Sequence, residues 1–190
     1  RQDRELNNRE SQSSINGFNK IYFGPPGTGK SHAIKEYLKE KNVDPENYSR
    51  VTFHPDYDYH SFVGGYKPFT DTNDGDKIKY NFISQIFTNL YVNAWENKEQ
   101  HYYLVIEEIN RGNCAEIFGD IFQLLDRNPE YNIEPSSELK KFLEKKEKEI
   151  NTKRVEEGKD TINLLHSGKL QMPNNLSILA SMNTSDQSLY

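Results

Sequence analysis

The stretch Lys20-Ile21-Tyr22-Phe23-Gly24-Pro25-Pro26-Gly27-Thr28-Gly29-Lys30-Ser31 passes from a β-branched and aromatic run, through a glycine-rich turn, into helical spacing. Residues 24–31 match G-x-x-x-x-G-K-[ST], the pattern of a P-loop. The pattern has a physical reason. A polyphosphate carries several negative charges, and a loop wrapped around it needs inward-pointing backbone N–H groups and no obstructing side chains. Gly24, Gly27 and Gly29 permit such a backbone, Pro25, Pro26 and Thr28 complete the cradle, and a helix starting near Lys30 adds its positive end. Lys30 is then placed to reach the terminal phosphates and the Ser31 hydroxyl to ligate a magnesium ion (Mg2+). The competing reading is a tight glycine turn with no ligand, which the strand before it and the helix after it disfavour.

Working outward, Ala33, Ile34, Tyr37 and Leu38 recur at helical spacing, with Lys and Glu on the other face. Residues 42–45 close that helix, and 50–54, with Val51 and Phe53 alternating, predict a second strand. Residues 71–76 read as a turn-forming polar loop. Ile83, Ile86, Phe87, Leu90 and Ala94 mark one face of a helix of about four turns. Residues 102–106 form the most continuous apolar run and predict a central strand covered on both faces. Ile117, Ile121, Leu124 and Leu125 predict a further amphipathic helix. The Lys- and Glu-crowded residues 138–158 read as a solvated helix, and 176–182 as the last strand. Strands alternating with helices predict an α/β P-loop NTPase fold, a mostly parallel sheet flanked by helices. In such sheets ligands bind beyond the carboxyl ends of the strands.

The central run ends in Glu107-Glu108. Strand alternation sends the two carboxylates to different sides, so Glu107 is expected in the magnesium shell and Glu108 against the lytic water. Two acids at a strand end are ordinarily just a solvated exit; a P-loop upstream shifts the balance toward function. The last strand ends in Met182-Asn183-Thr184, where Asn183 either positions water against the γ-phosphate or caps the chain.

The bulk composition bounds the rest. A length of 190 residues suits one domain: 1–18 as a flexible lead-in or linker, and 19–190 as a nucleotide-binding core carrying a charged insertion at about 128–173. The formal charge of −5 argues against a nucleic-acid clamp built on the overall field. One cysteine, Cys114, precludes an internal disulfide and fits a reducing cytoplasm. No apolar run approaches the roughly 20 residues that span a bilayer, so no membrane contact is expected. The polar start without methionine and the stop after a strand-like run read as an excerpt of a longer protein.

With the P-loop, the run Glu107-Glu108-Ile109-Asn110-Arg111 and the strand-terminal Asn183, the chain resembles an AAA+ ATPase core. Two further stretches, 54–68 (His-Pro-Asp-Tyr-Asp-Tyr-His-Ser-Phe-Val-Gly-Gly-Tyr-Lys-Pro) and 182–189 (Met-Asn-Thr-Ser-Asp-Gln-Ser-Leu), resemble the McrB family of modification-dependent restriction systems, which act on 5-methylcytosine DNA. The resemblance covers about residues 19–127 and 174–190. It implies hydrolysis of GTP or ATP with Mg2+, a homo-oligomeric ring (a hexamer in the family) and an McrC-like nuclease subunit. DNA would be contacted through regions outside this chain. It also implies that Gly24 to Ser31 bind nucleotide, that Glu107 and Glu108 take the Walker B position and Asn183 the sensor position. Asn110, Arg111 and Asp186 would couple the site to a neighbouring subunit.

Glu107 departs from the family pattern, which more often has Asp there, and Gln187 stands where the best-known member has Arg. The arginine finger, the lid and the DNA-reading domain fall outside the sequence. Two rivals stand beside this reading. A MoxR-type protein-remodelling ATPase would not share the segment 54–68, and a nucleotide sensor without turnover would not hydrolyse. Within that segment, Tyr57, Tyr59, Phe62 and Tyr66 read as packing around a turn ahead of a subunit or DNA surface. A metal site at His54, Asp56, Asp58 and His60 is set aside because nothing completes a ligand set. Cys114 reads as a small core residue.

Overall fold

A computed structural model describes residues 15–71, 77–128 and 130–184. Strand β1 (Asn19–Gly24) runs into the glycine loop and helix α1 (Lys30–Glu40). After β2 (Tyr48–Thr52) come the short α2 (Tyr59–Phe62), β3 (Gly64–Asp71), β4 (Lys77–Ser84) and α3 (Ile86–Glu96). Then follow β5 (Tyr102–Glu107), α4 (Cys114–Phe118) with a 3-10 stretch over Gly119–Asp126, α5 (Ser137–Glu156) and β6 (Leu176–Asn183). The main sheet has the order β1-β6-β5-β2 with every pairing parallel, while β3 and β4 form a separate antiparallel pair.

Every residue of β5 is buried, as its unbroken apolar run predicts. Alternation divides it: Leu104 and Ile106 join a core with α3 and α4, whereas Tyr103 and Val105 face Ile34 and Leu38 of α1. Burying a side chain such as Ile34, fully covered here, contributes about 1.5–3 kcal/mol. The strand registers bring Gly24 opposite Asn183 and Thr52 opposite Glu107, so the carboxyl ends of four strands meet at one edge.

Several elements differ from the sequence reading. Ile83 belongs to β4, opposite Gly65, and α3 begins only at Ile86. Helical spacing ran on by coincidence across the break at Ser84-Gln85. The helix expected over Ile117 to Leu125 is five residues of α4 followed by the tighter 3-10 stretch. Gly119 between them adopts φ 51° and ψ −138°, a conformation side chains disfavour, and a Cβ there would lie 3.2 Å from the Tyr59 ring. Helix α5 is present, capped by the Ser136 hydroxyl accepting from the Leu139 amide at 3.2 Å. It is not wholly solvated, since Leu139, Leu143 and Ile150 are buried in the same core as α3. Phe18, expected in the lead-in, is anchored: its carbonyl accepts from the Ile178 amide at 2.9 Å and its amide donates to Ser177 Oγ at 3.0 Å. The polar loop read at 71–76 lies, beyond Asp71, outside the described residues.

Candidate nucleotide site

The glycine loop leaves β1 with Gly27 at φ 77° and Gly29 at φ 79°, left-handed backbone that glycine alone adopts without strain. No atom lies within 4 Å of where a Cβ would stand on either residue, so backbone conformation, not crowding, demands glycine. Thr28 Oγ1 donates to the Pro25 carbonyl at 2.8 Å and steadies the turn. Helix α1 starts at Lys30 with no side-chain cap and no acidic residue in its first turn, which leaves its first amides and positive end facing the loop. The Lys30 ammonium folds back to donate to the carbonyls of Gly24 (3.0 Å) and Pro25 (2.8 Å).

Behind the loop, Ser31 Oγ donates to Glu107 Oε2 at 2.8 Å. The hydroxyl of Ser181, on β6, donates to the same oxygen. Arg50 on β2 binds the other oxygen, Oε1, at 2.6 Å. Glu107 is 8% exposed, so its charge is met almost entirely by these three groups.

Glu108 points elsewhere. Its backbone is left-handed, at φ 55° and ψ 45°, an uncommon conformation for a residue with a side chain. The turn begins where its amide donates to Ser181 Oγ at 3.2 Å. Asn183 Nδ2 donates to Glu108 Oε2 at 2.5 Å, and Arg111 Nε lies 3.6 Å from that oxygen. Asn110 Nδ2 donates to the Asn183 carbonyl at 3.0 Å, and the Thr184 amide donates to the Gly24 carbonyl at 3.1 Å. The tip of β6 is thereby tied both to the glycine loop and to the turn after β5. Lys30, Ser31, Glu107, Glu108 and Asn183 thus meet at one mouth, while Asp186 and Gln187 lie outside the described residues.

Arg50 and Ser181 were not singled out in the sequence. Their signal was present but incomplete. Alternation along β2 puts Arg50 on the face opposite Val51 and Phe53, and alternation along β6 groups Ser177, Leu179 and Ser181. Only the pairing of β2 and β6 with β5 turns those faces toward Glu107.

The remaining candidates resolve into packing. Phe53 and Phe62 are buried, and Tyr57 stacks on Phe53 with centroids 5.4 Å apart. Asp58 caps α2 by accepting from the Ser61 amide at 2.8 Å, and hydrogen bonding from Ser61 lowers its pKa. Tyr66, by contrast, is 43% exposed. Cys114 is half-buried with its thiol donating to the Ile109 carbonyl at 3.3 Å, and burial pushes its pKa up, away from thiolate chemistry. A cavity of about 400 Å3, lined by Trp95, Lys98, Arg127 and Tyr131 among others, opens at the amino-terminal end of the sheet. It has no glycine cradle and no carboxylate pair, so chemistry places the site at the opposite edge.

A parallel sheet that ends in a glycine cradle, backed by a hydroxyl on a buried carboxylate, defines a P-loop NTPase fold. Residues 20–189 match the family described as AAA domain (dynein-related subfamily), and the chain belongs to that family. It is 33% identical over 193 residues to the type II restriction enzyme BsuMI component YdiS of Bacillus subtilis, a match covering 89% of this chain and 51% of that one. It is 34% identical over 113 residues to the type IV methyl-directed restriction enzyme EcoKMcrB subunit of Escherichia coli, covering 58% of this chain and 23% of that one. The resemblance to McrB-type proteins read from 54–68 and 182–189 therefore holds, and the chain spans about half or less of these relatives' lengths. A crystal structure of a candidate ATPase from Cytophaga hutchinsonii is similar at TM-score 0.44 and 15% identity, over 92% of this chain and 36% of that one. No helix among the described residues is long and apolar enough to cross a membrane.

Proposed function

We propose that this domain binds and hydrolyses a nucleoside triphosphate as the motor of an McrB-like, modification-dependent DNA restriction complex. The observation that carries the reading is the pair of contacts at the sheet edge: Ser31 to Glu107 at 2.8 Å and Asn183 to Glu108 at 2.5 Å. Two adjacent carboxylates are held by different partners, as two different tasks require.

Lys30 is held at the loop by neutral oxygens, the Gly24 and Pro25 carbonyls and, at 3.5 Å, the Thr28 hydroxyl, and a triphosphate is a stronger acceptor for its ammonium. Nucleotide binding therefore moves Lys30 from loop to phosphate while the loop amides and the start of α1 cradle the chain of phosphates. The Ser31 hydroxyl and the Glu107 carboxylate suit magnesium, which takes hard oxygen donors, few of them from protein. Among the described residues no group of three or more His, Cys, Asp or Glu could hold a metal, so the rest of its shell would come from phosphate and water. When bound, the ion supplies charge neutralisation on the phosphates. Glu108 orients and deprotonates the attacking water, and Asn183 fixes the Glu108 carboxylate in that pose.

McrB-type relatives support the larger assembly: a homo-oligomeric ring, taken as a hexamer, an McrC-like nuclease partner, and DNA contacted through regions outside this chain. Resemblance to McrB-type proteins favours GTP, and ATP stays open because nothing in the sequence reads the base. Competition of GTP against ATP for the full-length protein, with and without magnesium and alongside Lys30→Ala, tests the binding claim and the base together. Phosphate release lost in Glu108→Gln with binding retained supports turnover at this site. Equal phosphate release by Glu108→Gln and the parent protein overturns it.

A further inference from the structure

The guanidinium of Arg50 is not part of the P-loop pattern, yet it makes the shortest ion pair to the carboxylate that the metal would use, 2.6 Å to Glu107 Oε1. We propose that Arg50 is a resident counter-ion for Glu107, neutralising it in the nucleotide-free site so that magnesium enters only together with the phosphates. This inference rests on the nucleotide reading above and assigns Arg50 a positioning role.

The two oxygens of Glu107 are divided. Oε1 belongs to Arg50, while Oε2 accepts from Ser31 and Ser181 and faces the loop. A carboxylate this buried is costly without a partner cation, and Arg50 supplies one from the neighbouring strand. Its side chain remains 36% exposed, so it stands at the rim and leaves Oε2 to the hydroxyls on the loop side. A glutamate is one methylene longer than aspartate and has one more torsion to fix; Arg50 fixes it. Bonding β2 to β5 does not require the pair, because those strands already run in parallel register from Tyr48 to Thr52.

The consequence is an order of binding. A lone magnesium ion would find the Ser31 and Ser181 hydroxyls and a carboxylate whose charge is already met. It gives up its waters reluctantly, and no three-residue acidic or histidine group assists it among the described residues. The phosphates supply the missing negative charge, so metal and nucleotide arrive as one.

Calorimetric titration of magnesium alone into the nucleotide-free full-length protein tests this. The parent protein is expected to take up no more magnesium at millimolar concentration than its Glu107→Gln variant. Arg50→Gln unmasks the carboxylate and takes up magnesium at concentrations at least about tenfold below any at which the parent does, since removing a unit charge a few ångströms away is worth that much. Adding Glu107→Gln to it abolishes the gain, and Arg50→Lys, which keeps the charge, behaves like the parent. Identical magnesium uptake by Arg50→Gln and the parent overturns the proposal. So does Glu107-dependent uptake by the nucleotide-free parent, an arm that holds even where Arg50→Gln does not fold. Because no nucleotide enters the titration, failure of the nucleotide reading shows separately, as a parent protein whose GTP and ATP binding is indifferent to Lys30→Ala.

Discussion

Glu107 and Glu108 differ by one position and by everything around them. One is enclosed by Arg50, Ser31 and Ser181, and the other is turned out by a left-handed backbone toward Asn183 and Arg111. Substitution should separate them. Glu108→Gln keeps the shape and the Asn183 contact region but removes the proposed base, so turnover is expected to fall about 10^2–10^4-fold with nucleotide affinity little changed, as rapid phosphate-release and equilibrium binding would measure. Lys30→Ala has the opposite signature. Losing a charged hydrogen-bond donor to the phosphates costs about 1.5–3 kcal/mol, visible as weaker binding of a fluorescent nucleotide. A pH effect belongs to this scale too. His101 sits between Ser177 Oγ (2.7 Å) and the Tyr103 hydroxyl (3.1 Å), and burial, with Arg127 nearby, holds its pKa below the ordinary imidazole value. The unfolded chain then binds the proton more readily than the folded one, so this contribution is complete above the unfolded pKa and is lost as pH falls through and below it. Melting temperature measured from pH 7.5 down to 5.5 should decline less in His101→Gln than in the parent protein; equal slopes would remove His101 from the account. Residue identity announced the loop and the acidic pair, because phosphate chemistry leaves few alternatives to glycine and lysine. It did not announce the positive φ of Glu108.

At the level of elements, legibility follows how much of the burial pattern is local. Strand β5 is covered on both faces, so its apolar run is unbroken and could be read directly. The β3–β4 pair could not be. Pro68 lies inside β3 and breaks the strand pattern in the sequence, Ile78, Tyr80 and Ile83 are exposed, and the defining feature of the pair is the cross-strand register from Gly64 opposite Ser84 to Asp71 opposite Lys77. Pairing took Ile83 from the helix its spacing suggested. Helix α5 errs the other way, since a crowd of Lys and Glu conceals a narrow stripe of Leu139, Leu143 and Ile150. That stripe makes a sharp test. Leu143 is fully buried, so Leu143→Ala is expected to destabilise the fold by about 2–5 kcal/mol. Lys145→Ala, which removes an exposed side chain 4.0 Å from Glu149, should stay within about 0.5 kcal/mol. Urea unfolding of the two variants decides; equal, small effects would mean that α5 is an appendage after all.

For the whole molecule, alternation of strands and helices predicted a parallel sheet but not its order, because β6, last in the chain, inserts between β1 and β5. That insertion brings Asn183 beside Gly24 and Ser181 against Glu107, and so completes the mouth from distant parts of the sequence. It also fixes which charges would surround the phosphates at the proposed site. Arg50 is engaged by Glu107 and Arg111 lies against Glu108, whereas Lys30 at the loop is held by neutral oxygens. One lysine and a metal ion leave part of the transition-state charge of a γ-phosphoryl group unmet, and such charge is where a further cation accelerates phosphoryl transfer most. The ring proposed above would supply that cation from a neighbouring subunit. Binding and turnover should therefore respond differently to dilution. Nucleotide affinity, which the proposed site assigns to Lys30 and the loop, is expected to stay constant over about a hundredfold change in protein concentration, whereas phosphate released per chain rises with concentration and levels off as assembly saturates. Mixing the parent protein with Glu108→Gln should lower turnover in proportion to the active chains, provided that each assembled site still receives its neighbour's cation. Turnover per chain that is already maximal at the lowest concentration, in protein that sediments as a monomer, would place the whole catalytic apparatus within a single chain.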